Sequence, residues 1–310
     1  MKYPIKLKFV PKTAIWGGST LKNEWNKPCD LEKLAEAWEL TVRKDAVNTI
    51  ENGAYAGRTL GEYIAENPDA ATFEKFPLLI KFIDAEDRLS VQVHPDDGFA
   101  AEVENDVGKT EMWYIADAKE GAEIIYGIKD GVEELRCDSR IGEQVKTVKV
   151  KKGDSFFIPS GMLHAIGKGC LIAEIQQNSD LTYRVYDYER RDAQGNLREL
   201  HTEKALRVIR PFSNAEVDAI RYSQSDKIGV GECLASCEYF NVNRITLNGD
   251  IKELYADTGS FHSLLCLEGE GEILCGEDRY AIAKGDSYFI PAGLGKYEIK
   301  GNLTVIVSRV

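Results

Sequence analysis

The chain has 310 residues, 43% hydrophobic and 29% charged, enough for one large or two medium domains with a real core. Its formal net charge of −12 argues against broad affinity for nucleic acid or anionic membrane, yet a pair of arginines can still make a cleft attractive to a small anion. Seven cysteines at 29, 137, 170, 233, 237, 266 and 275 are odd in number and scattered, a pattern of reduced thiols rather than of a disulfide framework or thiolate zinc site. Met1 to Val10 lacks a signal-peptide core, and no apolar run approaches the roughly 20 residues that span a bilayer. A cytoplasmic protein is expected.

In chain order, Asp30 to Leu40 has a candidate N-cap and places Leu31, Leu34, Ala35 and Trp38 on one face, which predicts a helix. A shorter helix is predicted over Thr59 to Ala65. Beyond residue 85 the pattern becomes short β-rich runs broken by Gly, Asp and Asn: Leu89–Val93, Glu111–Ile115, Glu123–Ile128, Val145–Val150, Ser155–Ile158 and Leu171–Gln176. This spacing predicts an antiparallel barrel or sandwich rather than alternating β-α units. A helix over Thr202–Val208 then precedes a second β-rich stretch from about Tyr239 onward.

An internal repeat organises these runs. Gly153-Asp-Ser-Phe-Phe-Ile-Pro-Ser-Gly-Met-Leu-His164 recurs 132 residues later as Gly285-Asp-Ser-Tyr-Phe-Ile-Pro-Ala-Gly-Leu-Gly-Lys296, with seven of twelve positions identical. Two copies of one β fold follow. They differ at the last position, where His164 becomes Lys296, so only the first copy keeps a metal-type ligand there.

In a strand over Leu89–Val93, alternation places Ser90, Gln92 and His94 on one face and Leu89, Val91 and Val93 on the other. A polar strand face is most often just solvated. Taken with Glu111, which opens a strand, and His164, which closes the repeat, it becomes a ligand set. Gln92, His94, Glu111 and His164 offer two imidazole nitrogens and two oxygens, suited to one divalent metal such as zinc with a position open to substrate. Only Glu111 carries charge, so a bound dication keeps a net charge of about +1 and remains a Lewis acid. His201 precedes a helix and reads as a surface residue, and His262 has no partner at ligand spacing.

The Gly153–His164 run resembles the second cupin motif. Leu89-Ser-Val-Gln-Val-His-Pro-Asp-Asp97, Gly108-Lys-Thr-Glu-Met-Trp-Tyr114, Ile15-Trp-Gly-Gly18, Ala37-Trp-Glu-Leu40 and Thr182-Tyr-Arg-Val-Tyr-Asp187 resemble motifs of type I mannose-6-phosphate isomerases, in their short bacterial form. The resemblance implies a mainly β fold of two cupin-type, jelly-roll-like barrels with a few short helices. Residues 1–230 would form the metal-binding catalytic domain and 231–310 a degenerate cupin without metal ligands. It implies zinc on Gln92, His94, Glu111 and His164, and a phosphorylated hexose as substrate. Ser90, Arg184 and Arg190 would bind that substrate near its phosphate. Lys109, Glu174, Asp180 and Arg184 fall on catalytic positions. Two departures bear on the proton transfer: longer members carry His-Lys-Pro-Glu where this chain has Gly108-Lys-Thr-Glu111, and a tyrosine where it has Ile166. The base is therefore left among Lys109, Glu174 and Asp180. An iron oxygenase of the cupin class, or a non-catalytic sugar-binding cupin, is the alternative reading.

Overall fold

A computed structural model describes residues 2–192 and 194–310. The β-rich runs pair antiparallel into three main sheets. A five-stranded sheet has the order Val145–Lys149, Glu123–Ile128, His164–Ile166, Val91–Val93, Tyr183–Tyr186. A six-stranded sheet has the order Ser155–Ile158, Glu111–Ala118, Cys170–Gln177, Leu78–Ala85, Glu36–Leu40, Val10–Lys12. Each order ends at free edges, so the expected barrels are open sandwiches. Ile124 and Ile166 of the first sheet and Met112, Ala173 and Ile175 of the second belong to one buried core. The far face of the five-stranded sheet, with Val91, Val93 and Val185, is covered by Ala205 of the helix Thr202–Val208.

The eight-stranded third sheet is built around Asn241–Ala256, His262–Cys275 and Gly295–Arg309. It also takes in the start of the chain: Ile5–Lys8 pairs with Ser287–Ile290, and Thr49–Ile50 pairs with Ile5–Lys8. Hydrogen-bonded structure thus crosses the boundary expected at residue 230. The repeat is visible as two equivalent strands, Ser155–Ile158 and Ser287–Ile290. Each is entered through a glycine in the left-handed region, Gly153 at φ 94° and Gly285 at φ 89°, a conformation that a side chain disfavours.

The helix Leu60–Glu66 has Thr59 as N-cap in a capping box with Glu62, within a residue of its predicted span. The helix predicted over Asp30–Leu40 does not form. Glu36–Leu40 is instead a strand between Val10–Lys12 and Leu78–Ala85. A register shift between Trp38 and Leu40 puts Glu39 at a bulge, and so breaks the period-2 pattern that would have marked the strand. The helix-like spacing of Leu31, Leu34, Ala35 and Trp38 is spread over the irregular segment before the strand and the strand itself.

The bulge carries Glu39 into the interior, where it is fully buried. Lys27, 4% exposed, meets both of its carboxylate oxygens at 2.7 Å, and the Ser287 hydroxyl donates to the Glu39 carbonyl at 3.1 Å. Burial pushes the Glu39 carboxyl up to about 7, while Lys27 pulls it back. Lys27→Met should therefore cost about 3 kcal/mol in chemical denaturation, because it leaves a buried acid unpaired, and Lys27→Met/Glu39→Leu should cost clearly less. The deficit of the single variant relative to the native chain should grow as pH rises above about 7: the native Glu39 then ionises beside Lys27, whereas the unpaired carboxyl still retains its proton in the folded variant. A double variant as unstable as the single one would contradict this reading.

Candidate active site

Two cross-strand rows face each other and make the site. Residues directly opposite in antiparallel strands share a face. In the five-stranded sheet, His164 lies opposite Gln92 and Gln92 opposite Arg184, giving the row His164–Gln92–Arg184. In the six-stranded sheet, Trp38 lies opposite Lys81, Lys81 opposite Glu174, and Glu174 opposite Trp113. Glu111 stands two residues before Trp113 on the same face. His94 follows the strand Val91–Val93, and its carbonyl accepts from the Gly161 amide at 2.8 Å, so the turn of the first repeat is tied directly to a candidate ligand.

His94, Glu111 and His164 form the one group of three potential metal-ligating side chains of the His, Cys, Asp and Glu type among the described residues, with ligand atoms within 4.8 Å of one another. Nε2 of His94 is 3.4 Å from Oε2 of Glu111, and Nε2 of His164 is 3.4 Å from Oε1. Ligands about 2.0–2.2 Å from a tetrahedral zinc lie roughly 3.3–3.5 Å apart, so this spacing fits. The Nδ1 atoms point away, each 2.8 Å from a carbonyl, that of Leu181 for His94 and that of Met162 for His164. A carbonyl only accepts, so Nδ1 carries the proton and Nε2 presents its lone pair inward. Both Glu111 oxygens and Nε2 of His94 are buried without a hydrogen-bond partner, which is the signature of a cluster built for a cation. Burial pushes His94 down to about 3, aided by Lys109, and burial also lowers His164. Burial alone would raise Glu111, but the Lys109 ammonium outweighs it and holds the carboxylate ionised. The Gln92 amide nitrogen lies 3.4 Å from His164 Nε2, while its oxygen accepts from the Ser90 hydroxyl at 3.3 Å. A half-turn of the amide would turn its oxygen toward His164 Nε2 instead.

Beside the cluster is a cleft of about 280 Å³. Ser90, Gln92, Lys109, Glu174, Asp180 and Arg184 all line it, so six of the residues singled out from the sequence converge there. Leu89 lines it too rather than packing with Val91 and Val93, because the ladder begins only at Val91. Three charged cleft residues escaped the sequence reading: Glu36, Lys81 and Arg198. Lys81 contacts Glu174 at 3.1 Å and Glu36 at 3.3 Å. The indoles of Trp113 and Trp38 donate to Glu174 at 2.9 Å and Glu36 at 2.7 Å. Burial raises the Glu174 carboxyl, with Glu111 adding to the shift. Burial also acts to raise Glu36, but Lys81 and the Trp38 indole hold it below the usual carboxylate range. A lysine inside the wholly buried run Leu78–Ala85 was the available signal for this floor.

Arg190 is placed differently from Arg184. It is absent from the cleft lining, and its guanidinium is 2.5 Å from Asp187. His201, expected at the surface, is half-buried and accepts from the Arg184 amide at 3.1 Å. His262 is buried in the eight-stranded sheet, with Nδ1 2.8 Å from the Tyr297 hydroxyl. The departure at Gly108 has a steric cause: a Cβ there would lie 2.5 Å from the Asp97 amide nitrogen, so main chain fills the space a histidine would need. The seven cysteines are all free. Among the described residues no helix is long and apolar enough to cross a membrane.

A buried His-Glu-His cluster in an antiparallel β-sandwich, beside a charged cleft, defines a cupin-type metal site. Residues 5–130 match the catalytic domain of phosphomannose isomerase type I, and residues 232–310 match the cupin domain of mannose-6-phosphate isomerase. A mannose-6-phosphate isomerase of Bacillus subtilis is 40% identical over 99% of both chains. One from Streptococcus mutans is 39% identical over 100% of this chain and 99% of its own. The crystal structure of mannose 6-phosphate isomerase from Bacillus subtilis superposes with a TM-score of 0.87 at 35% identity, covering 100% of each chain. The chain belongs to the type I phosphomannose isomerase family, and is an isomerase with the cupin fold.

Replacing His164 by alanine should remove the bound metal, measured by elemental mass spectrometry, and lower turnover by more than about a hundredfold. Replacing His262 should leave the metal content unchanged. A His164→Ala protein that keeps its metal would remove this site assignment.

Proposed function

We propose that the chain interconverts mannose 6-phosphate and fructose 6-phosphate through an enediol(ate), using one zinc ion held by Gln92, His94, Glu111 and His164. The observation that carries this reading is the orphaned buried Glu111 carboxylate between two neutral imidazoles, beside a charged cleft, in a chain 40% identical to a mannose-6-phosphate isomerase. Two nitrogens and two oxygens suit zinc, which when bound polarises sugar oxygens and stabilises negative charge that develops on them.

The remaining chemistry belongs to side chains of the cleft. Isomerisation moves a proton between C2 and C1 while the carbonyl shifts from C1 to C2, so a group of matched basicity must reach both carbons. Glu174 is occupied by Lys81 and the Trp113 indole, which suits it to orienting the floor of the cleft. Lys109 and Asp180 are then the candidates for carrying the proton; Asp180 makes no hydrogen bond or ion pair among the described residues. Ser90 and Arg184 would hold the substrate, and the phosphate grip converts remote binding energy into orientation of the reacting carbons. Seven free thiols suit the reducing setting of a cytoplasmic enzyme.

A coupled assay should show mannose 6-phosphate converted to fructose 6-phosphate, with activity lost to a chelator and restored by zinc. In D₂O at single turnover, at least part of the product should carry solvent deuterium on the carbon that receives the proton. Complete retention of the original hydrogen would point to a hydride shift and overturn the proton-transfer mechanism.

A further inference from the structure

Arg190 and Arg198 both pair with one buried carboxylate, Asp187, and Arg184 stands beside Arg198. Their remaining donors distinguish them. Every nitrogen of the Arg190 guanidinium is engaged within the protein: Nη2 donates to Asp187 Oδ1 at 2.5 Å, Nε to the Asp187 carbonyl at 3.3 Å, and Nη1 to the Arg88 carbonyl. Arg198 forms a two-point fork on the same carboxylate, through Nε at 2.7 Å and Nη2 at 2.5 Å. Its Nη1 has no protein acceptor among the described residues, and the side chain lines the cleft. Arg184 donates only through Nη1, to the Glu199 carbonyl at 2.7 Å, and its Nε is buried without a partner.

The pair is built rather than accidental. The His201 amide donates to the Arg184 carbonyl at 2.7 Å, and the Arg184 amide donates to the His201 ring. Together with the guanidinium bond to Glu199, these tie the segment that follows Arg198 along the strand Tyr183–Tyr186. Two guanidiniums share the single Asp187 carboxylate, and Arg184 stands close enough to Arg198 to feel its charge, so positive charge is in local excess inside a chain of net charge −12, with Asp87, half-exposed, 3.5 Å from Arg190. Like charges crowded in this way are stabilised by an anion, and a phosphate monoester dianion matches them in charge and in its geometry toward a planar fork.

We infer that Arg198, and not Arg190, joins Arg184 as the second phosphate-binding guanidinium of the cleft. Asp187 is the positioning residue that aims Arg198, and Arg190 acts only through Asp187. This rests on the sugar-phosphate reading above. It also accounts for arginine at position 190, since a two-carbonyl and carboxylate anchor uses the several donors of a guanidinium where an ammonium is a single point charge.

The test uses the metal-loaded full chain and two readouts, calorimetric titration with inorganic phosphate and the division of steady-state effects between KM and kcat. Arg198→Met should weaken phosphate binding and raise KM roughly tenfold to a hundredfold while kcat stays within about threefold. Arg198→Lys should recover part of that loss, and keeps the test open should the methionine variant fold poorly. Asp187→Asn should raise KM in the same direction with kcat again little changed. Arg190→Met should raise KM less than Arg198→Met does. Equal or larger effects at Arg190, or phosphate affinity indifferent to Arg198, would overturn the inference. Because phosphate titration needs no turnover, a wild-type protein that binds phosphate through Arg198 but fails to isomerise the sugar would refute the isomerase reading alone.

Discussion

The site depends on one electrostatic constraint. Glu111 is an ionised carboxylate, 1% exposed, and neither of its oxygens accepts a hydrogen bond. A charge in that position is tolerable only if positive charge stands close by. The protein supplies Lys109 at 3.5 Å and keeps both imidazoles neutral by burying them. Neutral imidazoles with inward lone pairs cannot balance the carboxylate themselves, so the balance is reserved for a cation. The carbonyls of Leu181 and Met162 set both histidines in the tautomer this requires.

Register then turns a metal cluster into an active site. The row that contains His164 and Gln92 continues to Arg184, and the row opposite runs Trp38, Lys81, Glu174 and Trp113. A slip of one residue in either sheet would turn these side chains to the other face. The third sheet brings no ligand to this cluster. It instead holds the start of the chain, through Ile5–Lys8, and covers the Glu39 bulge through Ser287. Its loss of a histidine at Lys296 is consistent with that supporting part: Lys296 pairs at the surface with Glu253 at 2.7 Å.

Much of this was legible beforehand because it is local. Alternation over Ser90–His94, the opening of a strand at Glu111 and the Pro-x-Gly turn before His164 are each short-range patterns, and the repeat showed two copies of one fold. What escaped notice depends on contacts distant in sequence. Glu36–Leu40 is a strand because two neighbours pair with it, and its bulge hides the alternation. Lys81 gains its meaning from Glu174, 93 positions further on by residue number, although a lone lysine in an apolar strand hinted at it. Arg198 lies in a loop with no periodicity, and its fork on Asp187, with the ties of Glu199 and His201 to Arg184, brings it to the cleft.

Which atoms surround the metal is read directly by X-ray absorption at the zinc edge of the purified protein. One zinc with nitrogen and oxygen neighbours only, at about 2.0–2.2 Å, is expected, with no sulfur despite seven cysteines in the chain. A sulfur neighbour at about 2.3 Å, or a fully active protein that holds no metal, would contradict the His-Glu-His assignment.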